Sequence, residues 1–128
     1  MQKVTFDWDH IFSAHVGERN LTKSIFLGNM SKTDIKRLAY HAFITGHLYP
    51  AKGRPNVVYI FKNFGRVVGK TSHQYDRNGQ ILPGSQRHFV TGVKLVYLRR
   101  ECQIKTMFPY RVFTPRKRTY SRKILRWN

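Results

Sequence analysis

The sequence predicts an α+β domain in which N-terminal helices pack on a C-terminal antiparallel β-sheet. Its 128 residues suffice for one hydrophobic core, and 41% of them are hydrophobic and 14% aromatic, as expected of a folded domain. Apolar residues recur at helical spacing before Gly46, whereas after Gly53 runs of β-branched and aromatic residues are separated by turn signals. Helices early and strands late are typical of the α+β class.

The N-terminal part of the chain predicts two short elements. Residues 3–6 form an extended lead-in or a short strand. Asp9 is the predicted N-cap of a helix, because an aspartate oxygen can accept a hydrogen bond from a free amide in the first turn. A helix from there to Gly17 would place His10 and His15 on neighbouring faces. Both imidazoles could then reach one pocket.

The best-defined helix follows Ser31. Residues 18–24 are polar and predict a loop, and residues 25–27 predict a short extended piece. Ser31 and Asp34 have the spacing of a capping box, in which each side chain bonds the other residue's backbone amide. Apolar residues then recur at helical spacing, at Ile35, Leu38, Ala39, Ala42 and Phe43. Gly46 is the predicted end of this helix.

The second half of the chain predicts strands. Residues 57–61 are β-branched and aromatic, and residues 66–70 are the predicted hairpin partner across a turn at 63–65. Two further turns are expected at 76–79 and at 82–85, where glycine, proline and asparagine cluster. This alternation indicates an antiparallel sheet.

The remaining segments complete the predicted domain. The longest strand candidate spans 89–98, and a last strand is expected at 103–108, with Pro109 ending it. We assign residues 1–110 to the functional domain and residues 111–128 to a basic C-terminal segment of the same domain. That segment holds seven basic residues and no acidic one, so it is either a solvated end or a segment that contacts RNA or a partner.

The charge of the chain indicates a polyanionic partner. It has 24 Lys and Arg against 6 Asp and Glu, a formal net charge of +18, and after Asp34 the only acids are Asp76 and Glu101. Such an imbalance destabilises a compact fold by self-repulsion unless a phosphate backbone or an acidic partner relieves it. Nucleic acid is favoured over an anionic membrane, because the basic residues do not line one face of a long amphipathic helix.

Several classes of protein are disfavoured by composition. The single cysteine, Cys102, excludes an internal disulfide and a cysteine-rich zinc site. The first residues lack the apolar run of a signal peptide, and no window is long and apolar enough to span a bilayer. The domain is therefore expected to work in an aqueous, reducing compartment and not in a membrane.

His10 and His15 are the first candidates for chemistry, because imidazole exchanges protons near neutral pH. Their spacing of five differs from the spacing of four in the metalloprotease helix pattern, and no Gly-x-Ser-x-Gly elbow occurs. Six acids, mostly near one end, do not suffice for a two-metal nuclease or a carboxylate pair. A nuclease built from this chain is expected to need no metal or other cofactor.

RNA can be cleaved without a metal when its own 2′-hydroxyl is the nucleophile. The reaction needs a base for the 2′-hydroxyl proton, an acid for the leaving 5′-oxygen and donors for the charge that grows on the phosphorane. Two histidines, a lysine and a hydroxyl can supply all of these groups. The product is a 2′,3′-cyclic phosphate, and DNA is spared.

Four segments carry a resemblance to a known family. They are residues 7–17, which end in His-Val-Gly, Lys-Ser-Ile-Phe at 23–26, the helix start at 30–35, and Ile-Lys-Thr-Met-Phe-Pro at 104–109. In order and rough spacing they resemble the bacterial EndoU-type ribonuclease domains, which are often the C-terminal toxins of contact-dependent and other polymorphic toxin systems. They are also similar to the RNase A-like toxin domains, which share a His-Val-Gly start and a Thr-x-Tyr-Pro end.

The resemblance implies roles for four residues near the N-terminus. The histidine pair of the family falls on His10 and His15 as proton-transfer groups. Its Lys-Ser-x-Phe element falls on Lys23 and Ser24, with Lys23 catalytic and Ser24 a substrate contact near the phosphate. Here the histidines are closer together than in many EndoU domains.

The closing motif implies three further site residues. Thr106 matches the family's threonine, whereas Phe108 stands where the family has tyrosine. A phenylalanine can stack on a base of the substrate but cannot donate a hydrogen bond. Tyr110, two residues later, is the candidate for the missing hydroxyl.

The resemblance also implies partners and a location. The substrate would be a structured or single-stranded RNA, with tRNA as one candidate. A ribonuclease toxin implies a cognate immunity protein, and the charge of the chain implies that this protein is acidic where it covers the site. The toxin would act in the cytoplasm of a target cell after delivery, and the immunity protein would hold it in the producer.

Two alternatives remain at this point. A non-catalytic RNA-binding protein would explain the charge and the basic C-terminal segment, and a DNA-cutting toxin with a histidine-bound metal would use the same imidazoles. Arg66, Lys70 and Arg87 are candidate phosphate contacts, although a dozen other cations are equally eligible. The remaining histidines are interpreted as ordinary surface or core residues: His41, His47, His73 and His88.

Overall fold

A computed structural model describes residues 3–112 and 120–127. Two α-helices are present in these ranges, α1 (Trp8–His15) and α2 (Lys32–Thr45), and a 3-10 helix spans Arg122–Leu125. The strands, in chain order, are β1 (Thr5–Phe6), β2 (Ile25–Phe26), β3 (His47–Pro50), β4 (Val57–Asn63), β5 (Gly69–Lys70), β6 (Phe89–Val90), β7 (Gly92–Leu98) and β8 (Gln103–Tyr110). Neither of these α-helices is long and apolar enough to cross a membrane.

The strands form two sheets, and the predicted α+β class is confirmed. Five strands pair in the order β1-β8-β7-β4-β3, and three strands pair in the order β2-β5-β6. All pairs are antiparallel except β1 with β8, which is parallel. The N-terminal strand therefore joins the edge of a sheet that is otherwise built from the later part of the chain.

The core lies between α2 and one side of the five-stranded sheet. Leu38 and Ala42 of α2 are buried against a layer that includes Ile60 of β4 and Leu95 of β7, both without exposed surface. Burying one such aliphatic side chain stabilises the fold by about 1.5 to 3 kcal/mol. The opposite side of the sheet carries the alternate residues of each strand, because successive side chains of a strand point to opposite faces.

Both helix starts are capped, one as predicted and one differently. The capping box of α2 is confirmed, with Ser31 Oγ accepting from Asp34 N at 3.1 Å and Asp34 Oδ2 accepting from Ser31 N at 2.9 Å. The prediction of Asp9 as the cap of α1 is wrong, since Asp7 Oδ1 accepts from His10 N at 3.2 Å. Lys105 pairs with Asp7 at 2.8 Å and lowers the pKa of that carboxyl, so the cap stays ionised.

The predicted hairpin between 57–61 and 66–70 is wrong. β4 pairs with β3 on one side and β7 on the other, while Gly69–Lys70 joins β2 and β6 in the smaller sheet. Strand His47–Pro50 was not predicted at all. It begins directly after Gly46, the C-cap of α2. It forms a hairpin with β4, so β4 has β3 as its neighbour and not residues 66–70.

Two predicted strand boundaries also change. The candidate at 89–98 divides at Thr91, whose carbonyl accepts from Phe64 N at 2.9 Å, so that Phe89–Val90 pairs in the small sheet and Gly92–Leu98 in the large one. Pro109 does not end the last strand. It lies inside β8 opposite Val93 of β7, in the part of the strand that β1 does not pair with. Proline is tolerated at such an edge position of a sheet.

Gly69 allows the three-stranded sheet to pack closely against β8. A Cβ atom added to Gly69 would lie 2.3 Å from Pro109 Cγ and 2.5 Å from the carbonyl oxygen of Ile25, distances that no side chain tolerates. The absence of a side chain at this position lets β5 approach β8 directly. The cleft described below lies along this junction.

The described part of the basic C-terminal segment packs on the domain. Tyr120 N donates to Leu48 O at 3.3 Å, and Ile124 and Leu125 lie against the core. Arg122 donates to the carbonyls at the end of α2, at 2.8 Å for Phe43. Residues 113–119, which hold three of the seven basic side chains of the segment, lie outside the described ranges.

Candidate active site

One cleft of about 630 Å³ contains every residue predicted for the site. It is bounded by α1, the loop that precedes β2, the segment after β5, and β8. The predicted residues that line it are His10, His15, Lys23, Ser24, Thr106, Phe108 and Tyr110. They come from two stretches that are far apart in sequence, residues 10–24 and residues 106–110.

A β-bulge aims the β8 residues into this cleft. Tyr97 pairs with Ile104 and Val96 with Thr106, so Lys105 is an extra residue opposite the β7 strand. Ile104 and Met107 are both buried in the core, a spacing of three that strict alternation forbids. After the bulge, Thr106 and the alternate residues that follow it face the cleft instead of the core.

His15 ends α1 and is held in one orientation. Its side chain is buried, with 6% of the residue exposed, and its Nδ1 lies 2.8 Å from the carbonyl oxygen of Ser24. Because a carbonyl can only accept, Nδ1 carries the proton and Nε2 keeps its lone pair. The backbone of Ser24 thus makes the contact that orients the ring.

Burial keeps this imidazole neutral. It lowers the pKa of His15 from 6.5 to about 4, and the nearby positive charges of His10 and Lys23 act in the same direction, while the hydrogen bond to Ser24 opposes them. The ring centroids of the two histidines are 6.1 Å apart. At this separation both rings can reach oxygens of one phosphate through hydrogen bonds of about 2.8 Å.

Phe108 has a clear contact in the structure. Its ring stacks on His15 with centroids 5.2 Å apart and an interplanar angle of 27°, and Tyr110 meets it edge-on at 6.0 Å. Phe108 therefore packs against the imidazole. Its exposed neighbour Tyr110, with 41% of its surface accessible, is the one with a phenol group at the cleft.

Thr106 presents an unsatisfied polar atom. Its Oγ1 is buried and has no hydrogen-bond partner among the described residues. An unpaired buried hydroxyl costs about 1 to 3 kcal/mol, so a ligand oxygen that pairs with it in the cleft would recover that energy.

Arg87, one of the many candidate phosphate contacts in the sequence, has a nearly buried side chain that bonds to backbone carbonyls instead. Its side chain is 4% exposed and donates to the carbonyl oxygens of Glu18, Asn20, Lys23 and Thr71 at 2.7 to 3.3 Å. Its Nε also lies 3.1 Å from a Glu18 carboxylate oxygen, without the alignment of a hydrogen bond. Arg87 thus links the loop that carries Lys23 to the small sheet. Nothing in the sequence distinguishes Arg87 from the 23 other Lys and Arg residues in this respect.

The lining of the cleft combines hydroxyl groups, imidazoles and cations with aromatic rings. Besides the predicted residues it contains Thr22, Thr71, Ser72, Pro109 and Arg111, and none of its described lining residues is acidic. Across residues 3–112 and 120–127, no group of three or more His, Cys, Asp or Glu side chains is placed to hold a metal ion. The cleft therefore favours an anion such as a phosphate.

No family model, curated protein or solved structure matches this chain. What the cleft can do chemically follows from its own groups. It brings together a neutral imidazole with a fixed tautomer, a second imidazole, an ammonium group, an unpaired hydroxyl and aromatic rings. These are groups for proton transfer and for the stabilisation of negative charge.

Proposed function

We propose that this cleft cleaves RNA by transesterification, without a metal or other cofactor. The observation that carries the proposal is the presence of His10, His15, Lys23 and Thr106 in one cavity lined with cations and no carboxylate. Each group matches a need of the reaction: two proton carriers, a positive charge and a hydroxyl donor. A merely structural role would not require all four in one cleft.

In the proposed reaction His15 is the general base and His10 the general acid. Nε2 of His15 takes the proton from the ribose 2′-hydroxyl, and O2′ forms a bond to the adjacent phosphorus. The bond from phosphorus to O5′ breaks, and His10 in its protonated form gives a proton to that leaving oxygen. The products are a 2′,3′-cyclic phosphate and a free 5′-hydroxyl, so atoms and charges balance.

The burial of His15 suits the base role. Its lowered pKa keeps Nε2 unprotonated in the free protein near neutral pH. A bound phosphodiester brings a negative charge beside the ring, which raises the pKa back toward its ordinary value and strengthens the base when substrate is present. Lys23 and the Thr106 hydroxyl stabilise the charge that develops on the phosphorane oxygens.

We also infer that the domain is a toxin with an acidic immunity protein, on the strength of the motif resemblance. The net charge of +18 and the acid-free lining of the cleft support a partner whose acidic surface covers the site. Delivery to the cytoplasm of a target cell belongs to the same inference, and tRNA stays one candidate substrate.

The proposal is tested by incubating the protein with total RNA in excess chelator and detecting cyclic-phosphate ends. We expect cleavage by the native chain, and His10→Ala or His15→Ala should each reduce the rate by about 10² to 10⁴. His41→Ala is the matched control, since His41 is an exposed histidine of α2 that does not line this cleft, and it should cleave normally.

The other outcomes separate the alternatives. Intact RNA in a folded protein that still binds RNA would overturn the enzyme and favour a non-catalytic RNA-binding protein. Activity on DNA that the chelator abolishes would overturn metal-free transesterification and favour a histidine-bound metal.

A further inference from the structure

We propose that the side of the five-stranded sheet away from α2 binds the nucleotides of single-stranded RNA that flank the scissile phosphate. We call this surface the aromatic face and define it by Tyr49, Tyr59, Phe61, Lys94 and Tyr110. In this assignment Lys94 contacts a backbone phosphate and the rings stack on bases. The inference rests on the proposed ribonuclease function and extends it to the substrate class.

The register of the sheet places these side chains together. Val58 and Ile60 of β4 are buried in the core, so the intervening Tyr59 and the following Phe61 point to the other side. Directly opposite, Tyr49 pairs with Tyr59, and Lys94 pairs with Phe61. With Tyr110 on β8, the aromatic face therefore crosses four adjacent strands, β3, β4, β7 and β8.

The rings form a continuous row that ends at the catalytic cleft. Tyr49 lies 5.7 Å from Phe61, and Phe61 lies 5.8 Å from Tyr110. Tyr110 in turn lies 6.0 Å from Phe108, whose ring stacks on His15. An RNA strand with its scissile phosphate between the histidines would thus meet this row on leaving the cleft.

Lys94 is the cation at the centre of this row. Its Nζ lies 4.1 Å from the ring centroid of Tyr59, 5.1 Å from that of Tyr110 and 5.7 Å from that of Phe61. Ring faces attract an ammonium group but leave its N–H donors without oxygen acceptors. Within the described ranges no carboxylate pairs with it. A phosphate oxygen would supply the missing acceptor.

The chemistry of the aromatic face matches single-stranded RNA better than a duplex. Base stacking on an aromatic side chain contributes about 1 to 3 kcal/mol per base, and it needs bases that are not already paired. The defining rings are partly exposed, and Tyr110 has 41% of its surface accessible. A surface of rings around a cation, with no acid, is typical of such a strand's binding site.

The test compares a dinucleotide with a single-stranded oligonucleotide of about ten nucleotides, because only the longer substrate reaches the aromatic face. We expect Lys94→Gln and Tyr59→Leu to lower kcat/KM for the oligonucleotide about tenfold and to leave dinucleotide cleavage unchanged. Lys36→Gln is the matched control: its ammonium also lies over a ring, that of Trp8 at 5.4 Å, but on the helical side. It should cleave both substrates normally.

Equal loss on both substrates, or no loss on either, would overturn the assignment. If the aromatic face binds a protein instead of RNA, Lys94→Gln should cleave both substrates at the native rate. If the native chain cleaves no RNA at all, the proposed function fails, and binding decides the inference separately. The His10→Ala, His15→Ala double variant should then bind the single strand more tightly than a duplex of the same length, with the preference lost in Lys94→Gln.

Discussion

At the residue scale, His15 shows how burial determines the state of a titratable group. Its ring is enclosed by Phe108 on one side and bonded to the Ser24 backbone at Nδ1. Protonation would place a positive charge in this enclosed position, and burial disfavours the charged form of the ring. The same restraint that suits the ring to the proposed base role therefore makes the folded state sensitive to acid.

The first prediction concerns stability against pH. The folded pKa of His15, about 4, lies below its unfolded value of 6.5, so the unfolded chain takes up the proton first. The contribution of His15 to the free energy of unfolding is at its maximum above about pH 6.5 and falls as the pH drops toward 4. Between pH 8 and pH 4.5 the loss is about 2.5 kcal/mol. Urea denaturation of the native chain and His15→Gln should show this loss only in the native chain.

The comparison needs a control because other groups titrate as well. Asp7 and Glu18 have lowered pKa values through Lys105 and Lys70, so their contributions fall away mainly below this window. His41→Gln should keep the acid sensitivity of the native chain, because His41 is exposed and is not among the groups that act on His15. The same slope in His15→Gln would contradict the assignment of the effect to His15.

The second prediction concerns Thr106. Valine has nearly the same shape as threonine but no hydroxyl, so Thr106→Val should keep or raise the free energy of unfolding by about 1 kcal/mol, since it removes an unpaired buried atom. Cleavage should fall about 100-fold if the hydroxyl stabilises the transition state. Denaturation and kcat/KM measure the two effects.

Thr106→Ser is the control for this substitution. It keeps the hydroxyl and loses only a methyl group, so it should cleave at close to the native rate. A Thr106→Val protein with native activity would show that the hydroxyl has no part in the reaction.

At the element scale, the cleft depends on how three segments are held together. α1 contacts β8, and the bulge at Lys105 turns the end of β8 toward the cleft. Lys105 also pairs with Asp7, the cap of α1, at 2.8 Å. Lys105 is thus the bulge residue that changes the direction of the β8 side chains, and its ion pair links β8 to the helix that carries the histidines.

The third prediction concerns the loop that carries Lys23. Arg87→Met should lower the free energy of unfolding by about 3 kcal/mol, because four backbone carbonyl oxygens lose the donor that this nearly buried side chain supplies. Cleavage by the fraction that remains folded should also fall, since Lys23 is no longer held at the cleft. Circular dichroism and kcat/KM at low temperature measure the two losses.

Two further variants serve as controls for Arg87→Met. Arg77→Met removes an exposed arginine of a turn and should change neither quantity. Arg87→Lys keeps the charge but not the planar fork, so it should lie between the native chain and Arg87→Met. Native activity in a folded Arg87→Met protein would contradict the positioning role.

At the scale of the whole molecule, a net charge of +18 on 128 residues would govern how the protein meets RNA, its proposed substrate. A large excess of positive charge raises the rate of encounter with a polyanion but carries no sequence information. Selectivity must then come from the cleft and the surfaces that continue it.

The fourth prediction follows from this charge. Binding of single-stranded RNA by the His10→Ala, His15→Ala double variant should weaken steeply with salt, with a slope of about −3 or steeper in a plot of log K against log salt. Loss of one phosphate contact in Lys94→Gln should reduce the slope by about 0.7. Fluorescence titration measures both, and a slope near zero would contradict binding through the backbone.

The sequence by itself determined the features that depend on neighbouring residues. The capping box of Ser31 and Asp34, the helix that ends at Gly46 and the α+β class all follow from local hydrogen bonding and periodicity, and the structure confirms them. The candidate site residues were also chosen from short motifs, and the structure brings all seven into one cleft. Their chemical roles remain proposals.

Only the tertiary structure decided the features that depend on distant residues. Strand β4 takes β3 and β7 as partners, the bulge at Lys105 turns Thr106 from the core to the cleft, and Arg87 is buried as a tie between loops. Each depends on which strand lies opposite, and no local pattern encodes that choice. Partner and register are settled by burial summed over the whole sheet, so they exist only once the chain has folded.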